Sequence, residues 1–388
     1  MDGSRRGLDD TTLLCFINTL ATPSALAPGS ISRLDLSHTP LRVEAAAALG
    51  DALARFDGVR TLRLRGCALG ERGLHFFIIA LCRVQQEKDD GPAANRAGGG
   101  ASAVADSGVI IAEAKEARLG AADSVASRAT QPGVRRTRAE AAPVSGSAPS
   151  LTHLELAENG LGDAGAVQIA SHFGRLSALQ WVDLGHNQLG AAGGAAVGAA
   201  AAVHPSLQTL ILASNRLTDA DGVAIADALR SGSSRLISLD LEANDIADGA
   251  LSALLRFAAV GQSLQALHLS ANSIGTDGAR ALASHLIAHP EGPMRSIGLS
   301  NNPLGEAGVK AIAVAVRGHA ALVELSMLGT GASDADSDAI AEAIAHNRAS
   351  ERQRRAAATK LLVRAASAAL SGDGVSTAAL PAAPEAAP

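Results

Sequence analysis

"LTHLELAENGLGDAG" (Leu151–Gly165) and "LQWVDLGHNQLGAAG" (Leu179–Gly193) are two readings of one pattern. Leucine or another apolar residue returns at fixed offsets. A polar Asn, Asn159 and then Asn187, stands between positions that read as buried. Within "LTHLEL", Leu154 and Leu156 alternate with His153 and Glu155, the period-two signature of a short strand with one buried face. After a turn, Gly165 opens "GAVQIASHFGRL", where Val167, Ile169, Ala170 and Phe173 recur at helical spacing. The unit is strand, turn, helix.

Written as L-x-x-L-x-L-x-x-N-x-L, the frame begins at Ile31, Val59, Leu151, Leu179, Leu207, Leu236, Leu264, Met294 and Leu322. From Leu151 onward the copies follow at 28 to 30 residues. Val59 and Leu151 lie 92 residues apart, one 28-residue period plus a further 64. One strand–helix unit cannot bury both of its apolar faces. Stacked units can, so a regular period predicts a solenoid with a ladder of parallel strands.

The Asn column has a physical reason. Where the chain bends from strand to helix, backbone N–H and C=O groups lose their ladder partners inside an apolar layer. A buried polar group left unpaired costs about 1–3 kcal/mol. An amide side chain supplies two donors and an acceptor at one point. Asn159, Asn187, Asn215, Asn244, Asn272 and Asn302 fill the six central layers, with Thr39, Cys67 and Thr330 toward the ends. The column is expected to be structural.

The elements "LELAENGLGDAG", "LHLSANSIGTDG" and "IGLSNNPLGEAG" resemble leucine-rich repeats of the ribonuclease-inhibitor type, as in ribonuclease inhibitor, nucleotide-binding innate-immune receptors and the GTPase activator of Ran. The resemblance covers about Ile31–Val84 and Leu151–Asn347. It implies an α/β horseshoe, with strands on the concave face, helices on the convex face, and protein binding on the strand side. Three copies depart from it. The fifth places Gly222 one residue late, the sixth has Ala250 where Gly is usual, and the last reads "LGTGASDAD".

Composition agrees with a thin repetitive core. Hydrophobic residues make up 47% of the 388, yet aromatics are 2% and Tyr is absent, so each layer is built from aliphatic side chains. A net charge of -5 gives no global drive toward nucleic acid or an anionic membrane. Cys15, Cys67 and Cys82 form no C-x-x-C pair, which favours a reducing, cytoplasmic setting. No apolar run is long enough to span a bilayer. The stretch "TTLLCFINTLA" reads as an amphipathic helix covering the first repeat. Asp9, Asp10 and Asn18 argue against the alternative of a signal peptide.

The expected organisation is an N-terminal capping helix region (1–30), repeats one and two (31–84), a low-complexity disordered insertion (85–150), repeats three to nine (151–347), a basic helix (348–371) and a disordered tail (372–388). "VIIAEAKEARL" (Val109–Leu119) within the insertion reads as a transient helix at most. "RASERQRRAAATKLLVRAASAAL" (Arg348–Leu370) places Leu361, Leu362, Ala365 and Ala369 on one side, either as a cap for the last repeat or as a docking helix.

No phosphate loop, zinc spacing or nucleophile elbow occurs. The recurring "LGxxG" is a turn into a helix, and the eleven His are scattered, so neither catalysis, a cofactor nor a metal is expected. Acidic residues on the convex side are expected to be solvated. The candidate surface is the concave face, where Glu155, Trp181, Asp183, Ile211, Asp240 and Glu242 should gather around the only Trp, with His153 and Thr209 beside it. An exposed Trp among acids predicts a binding hot spot for a basic or mixed-charge protein. The reading is an intracellular interaction scaffold. The resemblance also admits a regulator of the Ran-activator type, though a basic helix stands where those proteins have an acidic tail, or a sensor repeat of the innate-immune type.

Overall fold

The computed structural model describes residues 10–20, 31–56, 58–89, 151–261 and 263–371. Helix α1 (Asp10–Leu20) is followed by strand–helix units. These are β1 (Arg33–Asp35) with α2 (Val43–Arg55), β2 (Thr61–Arg63) with α3 (Gly70–Asp89), and β3 (His153–Glu155) with α4 (Gly162–His172). Then come β4 (Trp181–Asp183) with α5 (Ala191–Val203), β5 (Thr209–Ile211) with α6 (Asp219–Ser231), and β6 (Ser238–Asp240) with α7 (Asp248–Gly261). The stack ends with β7 (Ala266–His268) and α8 (Thr276–Ala288), β8 (Ser296–Gly298) and α9 (Gly305–Val316), and β9 (Glu324–Ser326) and α10 (Asp334–Ser371).

The nine strands form one parallel sheet in chain order. Register follows the repeat frame residue for residue: Leu62 faces Leu154, Leu154 faces Val182, and Val182 faces Leu210. The middle residue of each strand points into the layer, and all but Leu325 are buried. A helix is about 10 Å across, whereas paired strands lie about 4.8 Å apart. A stack of such units therefore bends with the sheet on its inner, concave side. Repeats two and three are neighbours despite the long stretch between them: β2 pairs with β3, and Thr152 and His153 both donate to Arg60 O.

The bend after each strand has one shape. The residue before the Asn column lies in the left-handed region in all nine repeats: His38, Gly66, Glu158, His186, Ser214, Ala243, Ala271, Asn301 and Gly329, with φ between 53° and 70°. Seven of these are not Gly, so the bend carries a steric cost of roughly 1–2 kcal/mol per residue. The amide column holds it. Asn187 Nδ2 donates to Leu156 O in the preceding repeat at 2.9 Å and to Gly185 O at 3.1 Å. Its Oδ1 accepts Asn159 N at 2.9 Å. Asn159 does the same for Leu64 O and Cys67 N, and Asn302 for Leu269 O and Ile274 N. Asn215, Asn244 and Asn272 repeat the pattern, although Asn215 and Asn244 are only half-buried. Cys67 substitutes with Sγ on Leu36 O, and Thr330 with Oγ1 on Met327 O. Burial pushes the Cys67 thiol up to about 11, so it is inert.

Four details differ from the sequence expectation. On α4 the buried face is Gly165, Ala166, Ile169 and the following Phe173, while Val167 is 43% exposed. Ile169 and Phe173 are i and i+4, and Val167 falls outside that stripe. Gln168, outside the apolar positions read from the sequence, is half-buried, and its Oε1 finds no partner among the described residues. Helix α3 continues to Asp89, past the expected break at Gln85. The basic segment from Arg348 is the second half of one helix that starts at Asp334.

The N-terminal segment packs Leu13 and Ile17 of α1 into the core, against α2. The insertion from residue 90, including Val109–Leu119, and the tail from 372 lie outside the described residues.

Candidate functional site

Strands β3 to β6 bring five of the six candidate residues side by side. Trp181 stands between His153 and Thr209, Asp183 between Glu155 and Ile211, and Asp240 opposite Ile211. Glu242 lies two residues past Asp240, exposed on the bend. These side chains alternate with the buried strand residues and therefore share the concave face.

The face is less open and less acidic than the sequence implies. Trp181 is half-buried and tilts against the His153 ring, with centroids 6.1 Å apart. Asp183 is buried, 8% exposed, and its Oδ1 accepts the Gly185 N–H at 2.8 Å. Asp35 holds Ser37 N, and Asp240 holds Glu242 N, in the same way. These aspartates fasten their own bends and keep one oxygen each for other contacts. A carboxylate two residues before the N–H it accepts is a local turn device. It was legible as Asp recurring at one frame position in Asp35, Asp183 and Asp240.

Charge on the face is mixed. Arg63 lies 3.2 Å from Glu155 and 3.6 Å from Asp35. Arg65 donates Nε and Nη2 to Glu158 Oε1, at 3.2 and 2.6 Å. Burial raises the carboxyl pKa of Glu155, with Arg63 opposing it and Asp183 adding to it. Burial likewise raises that of Asp183, against the pull of the Gly185 N–H and Arg65. The arginine pair sits at the β2 end, and the unpaired acidic oxygens lie toward β4–β6.

The convex-side acids contradict the expectation of simple solvation. Asp163 Oδ1 accepts Gly190 N and Gly193 N of the next repeat, at 2.7 and 3.0 Å. Asp219 does this for Ala247 and Ala250, and Asp248 for Gly275. Each satisfies free N–H groups at the next helix's N-terminus, where a negative charge also meets the positive end of the helix dipole. Recurrence of Asp at the thirteenth frame position was the available signal.

Histidines also fall into a column. His204 and His319 occupy one frame position; Nδ1 of His204 accepts Leu207 N at 3.0 Å, and that of His319 accepts Leu322 N at 3.2 Å. Asn347 takes the same position in the last repeat, with Nδ2 on His319 O and Leu322 O. Among the described residues, no group of three or more His, Cys, Asp or Glu could hold a metal ion, and no helix is long and apolar enough to cross a membrane.

Residues 147–170, 203–226 and 262–283 match the model of the leucine-rich repeat. With nine strand–helix units in one parallel sheet, the chain has the fold of a leucine-rich repeat solenoid. Among solved structures, it is similar to the actin-binding site 2 of leiomodin-1, at 15% identity over 44% of this chain and 96% of that one, with a TM-score of 0.38. The tropomodulin C-terminal domain of Caenorhabditis elegans is 13% identical over 50% and 82%, with a TM-score of 0.25. An internalin of Listeria monocytogenes is 13% identical over 84% and 92%, with a TM-score of 0.27. No curated protein matches the sequence.

Proposed function

We propose that the chain is a non-catalytic protein-interaction scaffold that binds its partner on the concave strand face. One observation carries the reading. The single Trp is spent on the sheet face rather than in the core, which takes Phe77, Phe173 and Phe257 among its mainly aliphatic side chains, and it remains partly accessible there. A large ring costs little conformational entropy to fix and offers much apolar area, which is why Trp dominates binding hot spots. Around it stand Glu155, Asp183, Ile211, Asp240 and Glu242, with Arg63 and Arg65 at one edge. The partner surface is therefore an apolar knob with a basic rim on its β4–β6 side and an acidic feature near β2.

The test is affinity capture of partners by wild type and by Trp181→Ala, with Val167→Lys on the convex side as control. A partner retained by the control and lost by Trp181→Ala supports the reading. Equal capture by all three moves the binding surface off the strand face.

A further inference from the structure

Helix α10 has two halves with opposite surroundings. The first closes the last repeat: Ile340, Ile344 and Asn347 are buried, Arg348 Nε donates to Val323 O at 2.6 Å, and Arg354 Nη2 reaches Ala320 O at 3.3 Å. Glu351 is clasped by Arg295 and Arg355. Beyond it, every described side chain from Arg352 to Val363 is exposed, including Leu361, Leu362 and Val363 at 62%, 71% and 62%. Arg354 and Arg355 still tie the start of the second half to the last repeats, through Ala320 O and Glu351, whereas Leu361–Val363 further along remain exposed.

Its chemistry is that of a ligand. From Arg352 to Ser371 there is no Asp or Glu, against Arg352, Arg354, Arg355, Lys360 and Arg364. The apolar residues 361–363 are consecutive. At about 100° per residue they spread over some 200° of the helix circumference, not along one stripe. A flat lipid surface engages one stripe of a helix, so this spread does not suit it. A concave surface contacts a helix on several sides at once.

We propose that the exposed half of α10 docks on the concave face of a second copy of this chain. The proposal rests on the concave-face reading above and names one ligand for that face. Charge complementarity is the argument: the acidic side toward β4–β6 presents Asp240 and Glu242, and the charged residues of the helix from Arg352 onward are all cations. The spans agree as well. Arg352 to Lys360 covers about 12 Å of helix axis, and β3 to β6 covers about 14 Å of sheet. Such a contact joins two different surfaces, so it is heterologous, and it extends to rings or chains unless two copies exchange helices reciprocally.

Analytical ultracentrifugation of the full chain tests it. Wild type should associate with rising concentration at low salt and dissociate as salt is added. Arg352→Glu with Lys360→Glu, residues with no ion-pair partner among the described residues, should weaken association by about tenfold or more. Asp240→Lys with Glu242→Lys should do the same. A one-to-one mixture of the two variants should associate again, because the unaltered basic helix of one meets the unaltered acidic strand face of the other. Circular dichroism of each variant checks that it is folded. A wild type that stays monomeric at low salt overturns the proposal, as does association that survives either pair of reversals, or a mixture that stays apart. Helix-dependent pelleting with phosphatidylserine vesicles by a monomeric wild type would assign the helix to lipid instead. If the chain is monomeric yet Trp181→Ala abolishes capture of another protein, only this inference falls and the concave-face reading stands.

Discussion

Asp163 of one repeat closes the first helical turn of the next through Gly193: the Asp163 Oδ1 accepts the Gly193 N–H at 3.0 Å, and a Cβ on Gly193 would sit 2.7 Å from that same oxygen. The acid and the glycine therefore presuppose each other. The relationship recurs, since a Cβ on Gly278 would lie 2.4 Å from Asp248 Oδ1 and one on Gly249 would lie 2.4 Å from Asp219 Oδ2. Helix ends in this solenoid are capped from the preceding layer, which ties each repeat's stability to its neighbour.

Asp163→Ala is expected to cost about 0.5–2 kcal/mol, the range for losing a helix cap. Gly193→Ala should destabilise alone and less in the Asp163→Ala background, because the closest clash is gone while Ala166 Cβ at 3.0 Å and the Asp163 Cα at 3.2 Å remain. Urea melts of the two single variants and the double give the coupling. Additive losses would mean that the carboxylate and the glycine act independently.

The Asn column makes a graded prediction. Asn187 is fully buried, and its amide bonds both to the preceding layer and to its own bend, so Asn187→Ala should cost about 1–3 kcal/mol. Asn244 is half-buried, and water can replace part of what its amide supplies. Asn244→Ala should cost less. Denaturant midpoints that show no loss for Asn187→Ala would remove the column's structural role.

How far the sequence carried this fold can be judged from such residues. Strand positions and register were legible because Leu154, Val182 and Leu210 recur in one frame, and a parallel ladder pairs equal frame positions. The Asn column was legible for the same reason. What escaped were contacts between layers made by residues whose local pattern looks ordinary. Asp163 reads as a surface charge until the next helix is placed beside it. Gln168 and Val167 show that a helix face is fixed only by its neighbours. In the candidate site, the gathering of Glu155, Trp181, Asp183, Ile211 and Asp240 followed from register. The inward turn of Asp183 and the clasp of Arg63 on Glu155 did not, since both depend on side-chain reach across strands.

The stretch between repeats two and three should be removable. Deleting residues 85–148 takes out 64 residues and restores the 28-residue spacing between Val59 and Leu151. The end of α3 that overruns the frame goes with it. The β2–β3 pairing and the bonds of Asn159 to Cys67 N and Leu64 O need nothing from the deleted part. Circular dichroism and thermal melting should be nearly unchanged. A lost transition would show that the segment contributes to the core.

Stability should fall on mild acidification. His285, near the end of α8, is held at about 4, by burial first and then by His289 and His319. The His285 and His289 rings are 4.8 Å apart. Burial also lowers His204 and His319. In the unfolded chain these groups titrate near 6.5. Between about 6.5 and 4 the unfolded state binds more protons, so stability is complete above that window and is lost as pH falls through it. Urea melts near neutrality and at about pH 5 should differ, and His285→Gln should narrow the difference. An unchanged pH dependence in that variant would locate the effect elsewhere.

Trp181 allows the functional reading to be followed by its own light, because the chain has no Tyr and no other Trp. Its emission reports on one point of the concave face. Partner docking should exclude water from the ring, shift emission to the blue and protect it from iodide quenching. Trp181→Ala should cost about 2 kcal/mol or more in partner affinity and leave the urea midpoint nearly unchanged, since the ring lies outside the buried core. Glu242→Lys, on the exposed rim, should act mainly by slowing association, with an effect that shrinks as salt is raised. Val167→Lys on α4 should be silent in both assays. If the partner binds with Trp181 emission and quenching unaltered, the ring is not at the interface, and the strand face loses its strongest claim to be the binding surface.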